Sequence, residues 1–269
     1  MDMNTVVGSH DLLFLTLDTL RFDVASELAA SGRIPHLAAL LPGGQWEERH
    51  SPASFTYAAH HAFFAGFLPT PAHPGRHSRL FAMRFEGSET TGQGTCVLDA
   101  PDLVTGLAAR GYHTVCIGGV GFFNKLNPLG NVLPGLFAES HWAPELGVRE
   151  PRSTEFQVAL AVRRLAELPA DLRVFLFMNI SALHQPNRHY LPGAAEDSRA
   201  THAAALEYVD SQLPPLFAAL RRRGAAFCMV CSDHGTAYGE DGYNGHRVGH
   251  PVVWTVPYAE FTLPRESAP

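Results

Sequence analysis

The sequence lacks any run of about 18 consecutive apolar residues, the length that a membrane-spanning helix requires. Its first residues, Met1 to Asn4, carry no positive charge. The apolar run Leu12–Leu17 is too short and wrongly flanked for a signal peptide. From these absences we expect a cytoplasmic protein with no membrane span.

An excess of basic residues is also absent. Lys and Arg number 20 against 26 Asp and Glu, and the formal net charge is -6. This balance weighs against nucleic acid as a partner. Charged residues make up only 17% and hydrophobic residues 46%, which is typical of a globular chain. No repeat or linker divides the sequence, so we expect one compact domain over residues 1–269.

Cysteine is scarce, with four residues at Cys96, Cys116, Cys228 and Cys231. Cys228 and Cys231 have the spacing of a metal knuckle, but both lie in a predicted strand. Three residues apart in a strand, they point to opposite faces. We therefore predict buried, reduced thiols.

Short apolar runs alternate with segments of helical character. The predicted strands are Asp11–Leu17, Thr95–Leu98, His113–Ile117, Arg173–Asn179, Ala225–Val230 and Val252–Val256. The predicted helices are Val24–Ala30, Thr56–Gly66, Pro101–Arg110, Thr154–Leu168 and Arg199–Arg223. This alternation predicts an α/β fold with a mainly parallel central sheet and helices on both faces. The segment Gly118–Trp142 is rich in Gly, Pro and Asn, and we expect an irregular lid or substrate wall there.

Two predicted strands end in residues that bind metals. Asp18 follows the first strand, and Asp233 and His234 follow the strand Ala225–Val230 within Cys231–Gly235. Ligands of open α/β sheets bind at the carboxyl ends of the strands. A carboxylate oxygen and an imidazole nitrogen are a common ligand pair for zinc or manganese. Taken alone, Asp233 and His234 also fit a turn-capping Asp beside a surface His.

Thr56 begins a predicted helix that ends at Gly66. The N-terminus of a helix attracts anions such as phosphate or sulfate, because its first N–H groups are unpaired. A threonine there that touches a divalent cation is positioned to attack phosphorus. The alternative is that Thr56 only caps its helix.

Three segments, in this order, resemble motifs of one enzyme superfamily. The segment Leu15–Asp23 resembles a first metal-ligand strand end, and Cys231–Gly235, followed by Gly239–Gly242 and Gly245-His246, resembles a second metal motif. Pro257, after Val252–Val256, resembles the closing strand-and-proline element. The chain thus resembles a compact member of the alkaline phosphatase superfamily, in its sulfatase-like branch.

The resemblance assigns the nucleophile to Thr56, which lies 10 residues before Gly66. Sulfatases carry Cys or Ser at this position, matured to formylglycine and followed by Pro and Arg. This chain has Thr56-Tyr57-Ala58-Ala59-His60 instead, and threonine cannot form formylglycine. A Thr nucleophile is typical of the phosphodiesterase, lipoteichoic-acid-synthase-like and phosphoethanolamine-transferase branches. The resemblance therefore implies a phosphoryl or phosphonyl substrate.

The same resemblance implies roles for the remaining residues. The expected ligands of one divalent ion, zinc or manganese, are Asp18, Thr56, Asp233 and His234. His184 and His246 are expected to protonate the leaving group. Alternatively, they hold a second ion, although Ile180 stands where the superfamily has a third ligand. His60 and Arg21 are expected to contact the substrate, and Asp23 is expected to pair with Arg21.

We thus expect a metal-dependent hydrolase or transferase of phosphate or phosphonate esters that acts through a covalent Thr56 intermediate. Its partner would be a small-molecule ester, and the sequence leaves a homo-oligomer open. Two alternatives remain. One is a sulfate-ester hydrolase with an unmodified Thr, and the other is a non-catalytic metal-binding accessory protein in a biosynthetic pathway.

Overall fold

The computed structural model describes residues 2–66 and 102–266. The β-strands of this part are β1 (Asp11–Leu17), β2 (Glu47–His50), β3 (His113–Ile117), β4 (Glu139–His141), β5 (Val174–Ile180), β6 (Ala226–Cys231), β7 (Ala237–Tyr238), β8 (Asn244–Gly245) and β9 (Thr255–Leu263). Its α-helices are α1 (Met3–Val6), α2 (Phe22–Ala30), α3 (Pro35–Ala38), α4 (Thr56–Ala65), α5 (Leu103–Ala109), α6 (Pro128–Val132), α7 (Ser153–Glu167), α8 (Arg199–Gln212), α9 (Pro214–Arg223) and α10 (Pro251–Trp254).

The centre of the molecule is a 7-stranded sheet with the order β2-β9-β6-β1-β5-β3-β4. Strands β6, β1, β5, β3 and β4 run parallel, whereas β9 is antiparallel to both β6 and β2. Strands β7 and β8 form a separate 2-stranded hairpin. The predicted α/β fold with a mainly parallel sheet is confirmed.

Strand β1 is buried along its whole length because helices cover both faces of the sheet. Leu13, Leu15 and Leu17 pack into one core with residues of α2, α7, α8 and α9. Leu12 and Phe14 point to the other face and pack with residues of α4 and α5. This alternation explains why the strand reads as a continuous apolar run. Because β1 pairs in parallel with β5 on one side and with β6 on the other, its carboxyl end lies between theirs.

Beyond shifts of one or two residues at their ends and short elements that were not predicted, three predicted segments differ from the observed structure. Residues 251–254 form the helical turn α10, and the last strand begins only at Thr255. The predicted helix Arg199–Arg223 is two helices separated at Leu213, because Pro214 and Pro215 lack the N–H groups that would continue α8. The segment Gly118–Trp142 contains the short elements α6 and β4.

Cys116, Cys228 and Cys231 are buried and unbonded, as predicted. Cys228 and Cys231 belong to the cores on opposite faces of the sheet, so they cannot bind one metal ion. Three sequence predictions lie outside the described residues: the strand Thr95–Leu98, Cys96, and Pro101 at the start of the helix Pro101–Arg110. No helix in residues 2–66 and 102–266 is long and apolar enough to cross a membrane.

Candidate active site

Asp18, Asp233 and His234 meet at the carboxyl ends of the neighbouring strands β1 and β6. One ligand atom from each of them lies within 4.8 Å of the others, and all three side chains are fully buried. Because β1 and β6 are parallel and adjacent, residues that follow them in sequence emerge at the same edge of the sheet. The fold thus brings together three of the four side chains that the sequence predicted as metal ligands.

Fixed hydrogen bonds orient both carboxylates. Asp233 Oδ1 accepts the backbone N–H groups of Thr19, at 3.1 Å, and of His234, at 3.0 Å. Asp18 Oδ2 accepts from Asn179 Nδ2 at 3.1 Å. Among the described residues, the second oxygens, Asp18 Oδ1 and Asp233 Oδ2, have no hydrogen-bond partner. Buried carboxylate oxygens normally have partners, so this donor set fits a divalent cation.

The electrostatics of the two carboxyl groups agree with this fit. Burial raises the pKa of Asp18 from 3.8 to about 6, and the nearby Asp233 carboxylate adds to the effect. Burial likewise raises the pKa of Asp233 to about 6. Two desolvated carboxylates this close repel each other, and a cation between them would remove both penalties.

His234 is held in the tautomer that a metal ligand requires. Its Nδ1 donates to the carbonyl oxygen of Gly235 at 2.8 Å, so the lone pair of the neutral ring lies on Nε2. Burial lowers the pKa of His234, which keeps the ring neutral. The following residue must be glycine, because a Cβ at Gly235 would lie 2.0 Å from the carbonyl oxygen of Val252.

Thr56 is the first residue of α4, and its side chain faces the three predicted ligands. Thr56 Oγ1 lies 3.4 Å from Asp18 Oδ2 and 3.2 Å from His234 Nε2. The N-cap position is Phe55, whose side chain makes no capping hydrogen bond. The alternative in which Thr56 serves only as a helix cap is therefore not what the structure has.

His60 does not reach the position expected of a substrate contact. Its ring is fully buried, with Nδ1 donating to the carbonyl oxygen of Thr56 at 2.7 Å and Nε2 lying 3.0 Å from Thr16 Oγ1. Burial lowers its pKa to about 3, so the ring is neutral. Both nitrogens are occupied, and His60 anchors the first turn of α4 rather than contacting a bound group.

Arg21 also differs from its expected role in substrate binding. Its guanidinium makes a two-pronged ion pair with Asp23, at 2.9 and 2.8 Å, and a second ion pair with Glu240. The side chain of Arg21 is only 3% exposed, and these ion pairs occupy the N–H donors of its guanidinium. The predicted pairing with Asp23 is present, and Arg21 ties the loop after β1 to the β7–β8 hairpin.

A cavity of about 410 Å³ adjoins Thr56. Its wall includes His184, His246, Arg247 and part of the segment 120–130, which agrees with the expected substrate wall. The ring of His246 contacts those of His234 and His184, with centroid distances of 4.7 and 5.5 Å. Burial lowers the pKa of His246 to about 3, assisted by His234, His184 and Arg247, so this ring is neutral at pH 7.

His184 suits proton exchange better than His246 does. Its Nδ1 donates to the carbonyl oxygen of Gln185 at 2.6 Å, which leaves Nε2 as the nitrogen for exchange. A second ion held by His184 and His246 would need a further ligand. Ile180 is an apolar, buried residue of β5, and the described residues contain no second cluster of metal ligands.

Sequence reasoning missed Asn179, Thr19 and Arg247. Asn179 is a polar residue inside the apolar run of β5, and that interruption was the signal that could have identified it. Thr19 adopts a φ of 64°, a strained conformation for a β-branched residue, and this turns its N–H toward Asp233. Arg247 lies beside the predicted His246, but only the three-dimensional structure shows that it lines the cavity.

Comparison with known proteins supports the fold. No protein-family model and no curated protein sequence matches this chain. The C-terminal periplasmic domain of phosphoethanolamine transferase EptC from Campylobacter jejuni matches with a TM-score of 0.62 and 13% identity, over 95% of this chain and 80% of that one. The corresponding EptC domain from Escherichia coli, in complex with Zn, matches with a TM-score of 0.65 and 12% identity, over 94% and 73%. Lipoteichoic acid synthase LtaP from Listeria monocytogenes matches with a TM-score of 0.63 and 11% identity, over 95% and 66%.

These similarities confirm the predicted α/β fold, which the chain shares with the EptC domains and LtaP. They contradict the expected cytoplasmic location, since the matched EptC domains are periplasmic. The prediction rested on the lack of two recognisable patterns, a signal peptide and a membrane-spanning run, and such a lack does not determine the compartment.

Proposed function

We propose that this protein is a metal-dependent phosphoester hydrolase or transferase that uses Thr56 as its nucleophile. Asp18, Asp233 and His234, together with Thr56 Oγ1, would hold a divalent cation, and we favour zinc over manganese. The nitrogen ligand suits zinc, and a protein of similar fold has been crystallised with zinc. When bound, the cation would lower the pKa of the Thr56 hydroxyl and neutralise charge on the phosphoryl oxygens.

One observation carries this proposal. Thr56 Oγ1 lies 3.4 Å from Asp18 and 3.2 Å from His234, beside two buried carboxylate oxygens without partners in the described structure. A helix-capping threonine would turn toward its own backbone, and a purely structural carboxylate pair would have partners. The arrangement favours a nucleophile that shares a cation with its neighbours.

The remaining steps fall to residues of the chain. Thr56 Oγ1 passes its proton to Asp18 Oδ2, to which it donates a hydrogen bond, and forms a bond to phosphorus as the bond from phosphorus to the leaving oxygen breaks. His184 Nε2 donates a proton to that oxygen, while the N–H groups at the start of α4 face the developing negative charge. Water, or an acceptor alcohol, then attacks phosphorus and gives its proton to His184 Nε2, while the bond from phosphorus to Thr56 Oγ1 breaks and Thr56 regains its proton from Asp18. His60 and Asn179 position Thr56 and Asp18 throughout. As in the EptC domains of similar fold, we propose an extracytoplasmic location.

The test is turnover of 4-nitrophenyl phosphate and bis(4-nitrophenyl) phosphate by the zinc-loaded protein, with mass spectrometry of the quenched enzyme. We expect the transferred group on Thr56, and a loss of turnover in Thr56→Ala of about 10³-fold or more. Thr56→Ser keeps the hydroxyl and should retain part of the activity. An added acceptor alcohol distinguishes transfer from hydrolysis: a phosphoester of that alcohol indicates transfer, whereas free phosphate indicates hydrolysis.

Three outcomes would contradict this proposal. Unchanged turnover in Thr56→Ala would exclude the covalent route. Faster turnover of 4-nitrophenyl sulfate than of the matched phosphate esters would favour the sulfate-ester alternative. Tight zinc binding without turnover of any ester would favour the accessory-protein alternative.

A further inference from the structure

Arg247 is the cation of the cavity beside Thr56. Among the described residues that line this cavity it is the permanently charged one, and none of them is Asp or Glu. The guanidinium of Arg247 makes no ion pair with any carboxylate in residues 2–66 and 102–266. The guanidinium of Arg21, by contrast, forms ion pairs with Asp23 and Glu240. The wall therefore carries positive charge that the described part of the protein does not neutralise.

Arg247 is held in place by contacts that leave its charge unpaired. Its backbone N–H donates to the carbonyl oxygen of Ser54 at 2.8 Å, which attaches it two residues before the nucleophile Thr56. Its guanidinium carbon lies 5.9 Å from the centroid of the Phe55 ring. Its φ of 70° is a conformation that favours glycine, yet an arginine occupies the position. Backbone anchoring and ring contact both direct a cation to the cavity that Thr56 lines.

We propose that Arg247 binds an anionic group of the substrate, so that the cavity selects phosphoesters with a further negative charge and disfavours those with an ammonium group. This inference rests on the proposed function and goes beyond it by naming the substrate class. An arginine fork binds carboxylate and phosphate oxygens through paired hydrogen bonds. An ammonium group in this cavity would be repelled by the positive charge of Arg247, and no carboxylate among the described wall residues could pair with it. In this respect the cavity is unsuited to phosphoethanolamine, the group named for the EptC enzymes of similar fold.

The negative charge has two sources, which an experiment separates. It belongs either to a doubly ionised phosphoryl group or to a carboxylate on the rest of the substrate. Three non-hydrolysable phosphonates share the phosphonate group and differ only in the tail. The tail of ethylphosphonate is neutral, that of phosphonoacetate carries a carboxylate, and that of 2-aminoethylphosphonate carries an ammonium group. Their affinities for the zinc-loaded protein are measured by isothermal titration calorimetry, without turnover.

For the wild type we expect phosphonoacetate to bind at least as tightly as ethylphosphonate, and 2-aminoethylphosphonate to bind most weakly. Arg247→Gln should weaken binding by about tenfold, as expected for the loss of a charge-assisted hydrogen bond. An equal loss for all three ligands assigns the contact to the phosphoryl group. A loss confined to phosphonoacetate assigns it to the carboxylate. Arg247→Lys should retain part of the affinity, and Arg247→Gly, which removes the side chain without the backbone strain, should behave like Arg247→Gln.

The matched control is Arg222→Gln. Arg222 is an exposed residue at the end of α9, away from the cavity, so its removal changes the net charge equally. Binding by Arg222→Gln should stay within about twofold of the wild type. The proposal is overturned if Arg247→Gln binds all three phosphonates like the wild type, or if 2-aminoethylphosphonate binds most tightly. A wild type that binds no phosphonate at all contradicts the proposed function instead.

Discussion

Strand β1 has an aspartate at each end, and the two differ in what surrounds them. Asp11, at the amino end, is 1% exposed and accepts from Val174 N at 2.9 Å and from Arg223 Nε at 3.1 Å. Asp18, just past the carboxyl end, is also buried, but no cation of the described protein pairs with it, and its Oδ1 has no partner. Both carboxylates are thus buried, but only Asp11 has a cationic partner among the described residues.

The difference shows which carboxylate is structural and which is suited to chemistry. Asp11 and Arg223 join β1 to the end of α9 as a buried ion pair with several carbonyl acceptors around the guanidinium. Asp18 faces Asp233, a second carboxylate, so the pair destabilises the folded protein unless a cation binds. Two buried carboxylates that each keep one oxygen without a partner would be stabilised by a bound cation, as the proposed metal site requires.

The largest effect is expected on turnover. Asp18→Asn removes a proposed metal ligand and should lower turnover of 4-nitrophenyl phosphate by about 10³-fold or more. Asp11→Asn changes the same group on the same strand, far from Thr56, and should keep turnover within a few-fold at temperatures where it is folded. Equal losses in the two variants would break the comparison.

In the absence of metal, we expect Asp18→Asn and Asp11→Asn to change the stability of the protein in opposite directions. In EDTA at pH 8, Asp18→Asn should raise the free energy of unfolding by about 3 kcal/mol, because the folded protein no longer ionises a carboxyl whose pKa lies at about 6 instead of 3.8. Asp11→Asn should lower it by about 3 kcal/mol, since Arg223 loses its buried partner. Urea denaturation of both variants and the wild type measures this. A metal-free Asp18→Asn that is less stable than the wild type would contradict the account.

The pH dependence follows from the sign of the pKa shift. Because the pKa of Asp233 rises from 3.8 to about 6 on folding, its stabilising contribution is complete below about pH 4 and is lost as the pH rises through 6. The stability gain of metal-free Asp233→Asn over the wild type should therefore be absent at pH 4 and constant above pH 7. Taking the difference cancels the titration of the buried histidines. A gain independent of pH would refute the shift.

The smallest expected effect concerns Asn179. Its side chain donates to Asp18 Oδ2 at 3.1 Å, and its Oδ1 accepts from the backbone N–H of Val120 at 3.1 Å. Asn179→Ala should weaken zinc binding by about tenfold, as for other residues that orient a metal ligand. Competition with a fluorescent chelator measures the affinity, and circular dichroism controls for folding. Unchanged affinity would mean that Asp18 needs no such support.

Sequence reasoning predicted what depends on local pattern. Strands β1 and β3 were placed at their observed ends, and α4 was identified from its starting threonine and its terminal glycine, because apolar runs and helix signals are local. The convergence of Asp18 with Asp233 and His234 followed from the rule that parallel strands share an edge. The turn α10 was missed because its apolar residues, Val252 and Val253, also suit a strand.

The differences between the expected and the observed surroundings of the site residues have a common cause. His60 and Arg21 were assigned to substrate because they lie near ligands in the sequence, but burial and pairing with Thr56, Asp23 and Glu240 occupy them. Arg247 was overlooked because its anchor, Ser54, is distant in the sequence. Which polar side chain remains available to a ligand depends on all its neighbours, and a linear pattern contains only some of them.

The most direct test of the central claim is the zinc content of the protein after saturation and dialysis, measured by elemental analysis. We expect about one ion per chain in the wild type and in Asp171→Ala, which removes an exposed carboxylate, and none in Asp233→Ala. Equal zinc in all three proteins, or none in the wild type, would contradict the proposal that Asp18, Asp233 and His234 form a metal site beside Thr56.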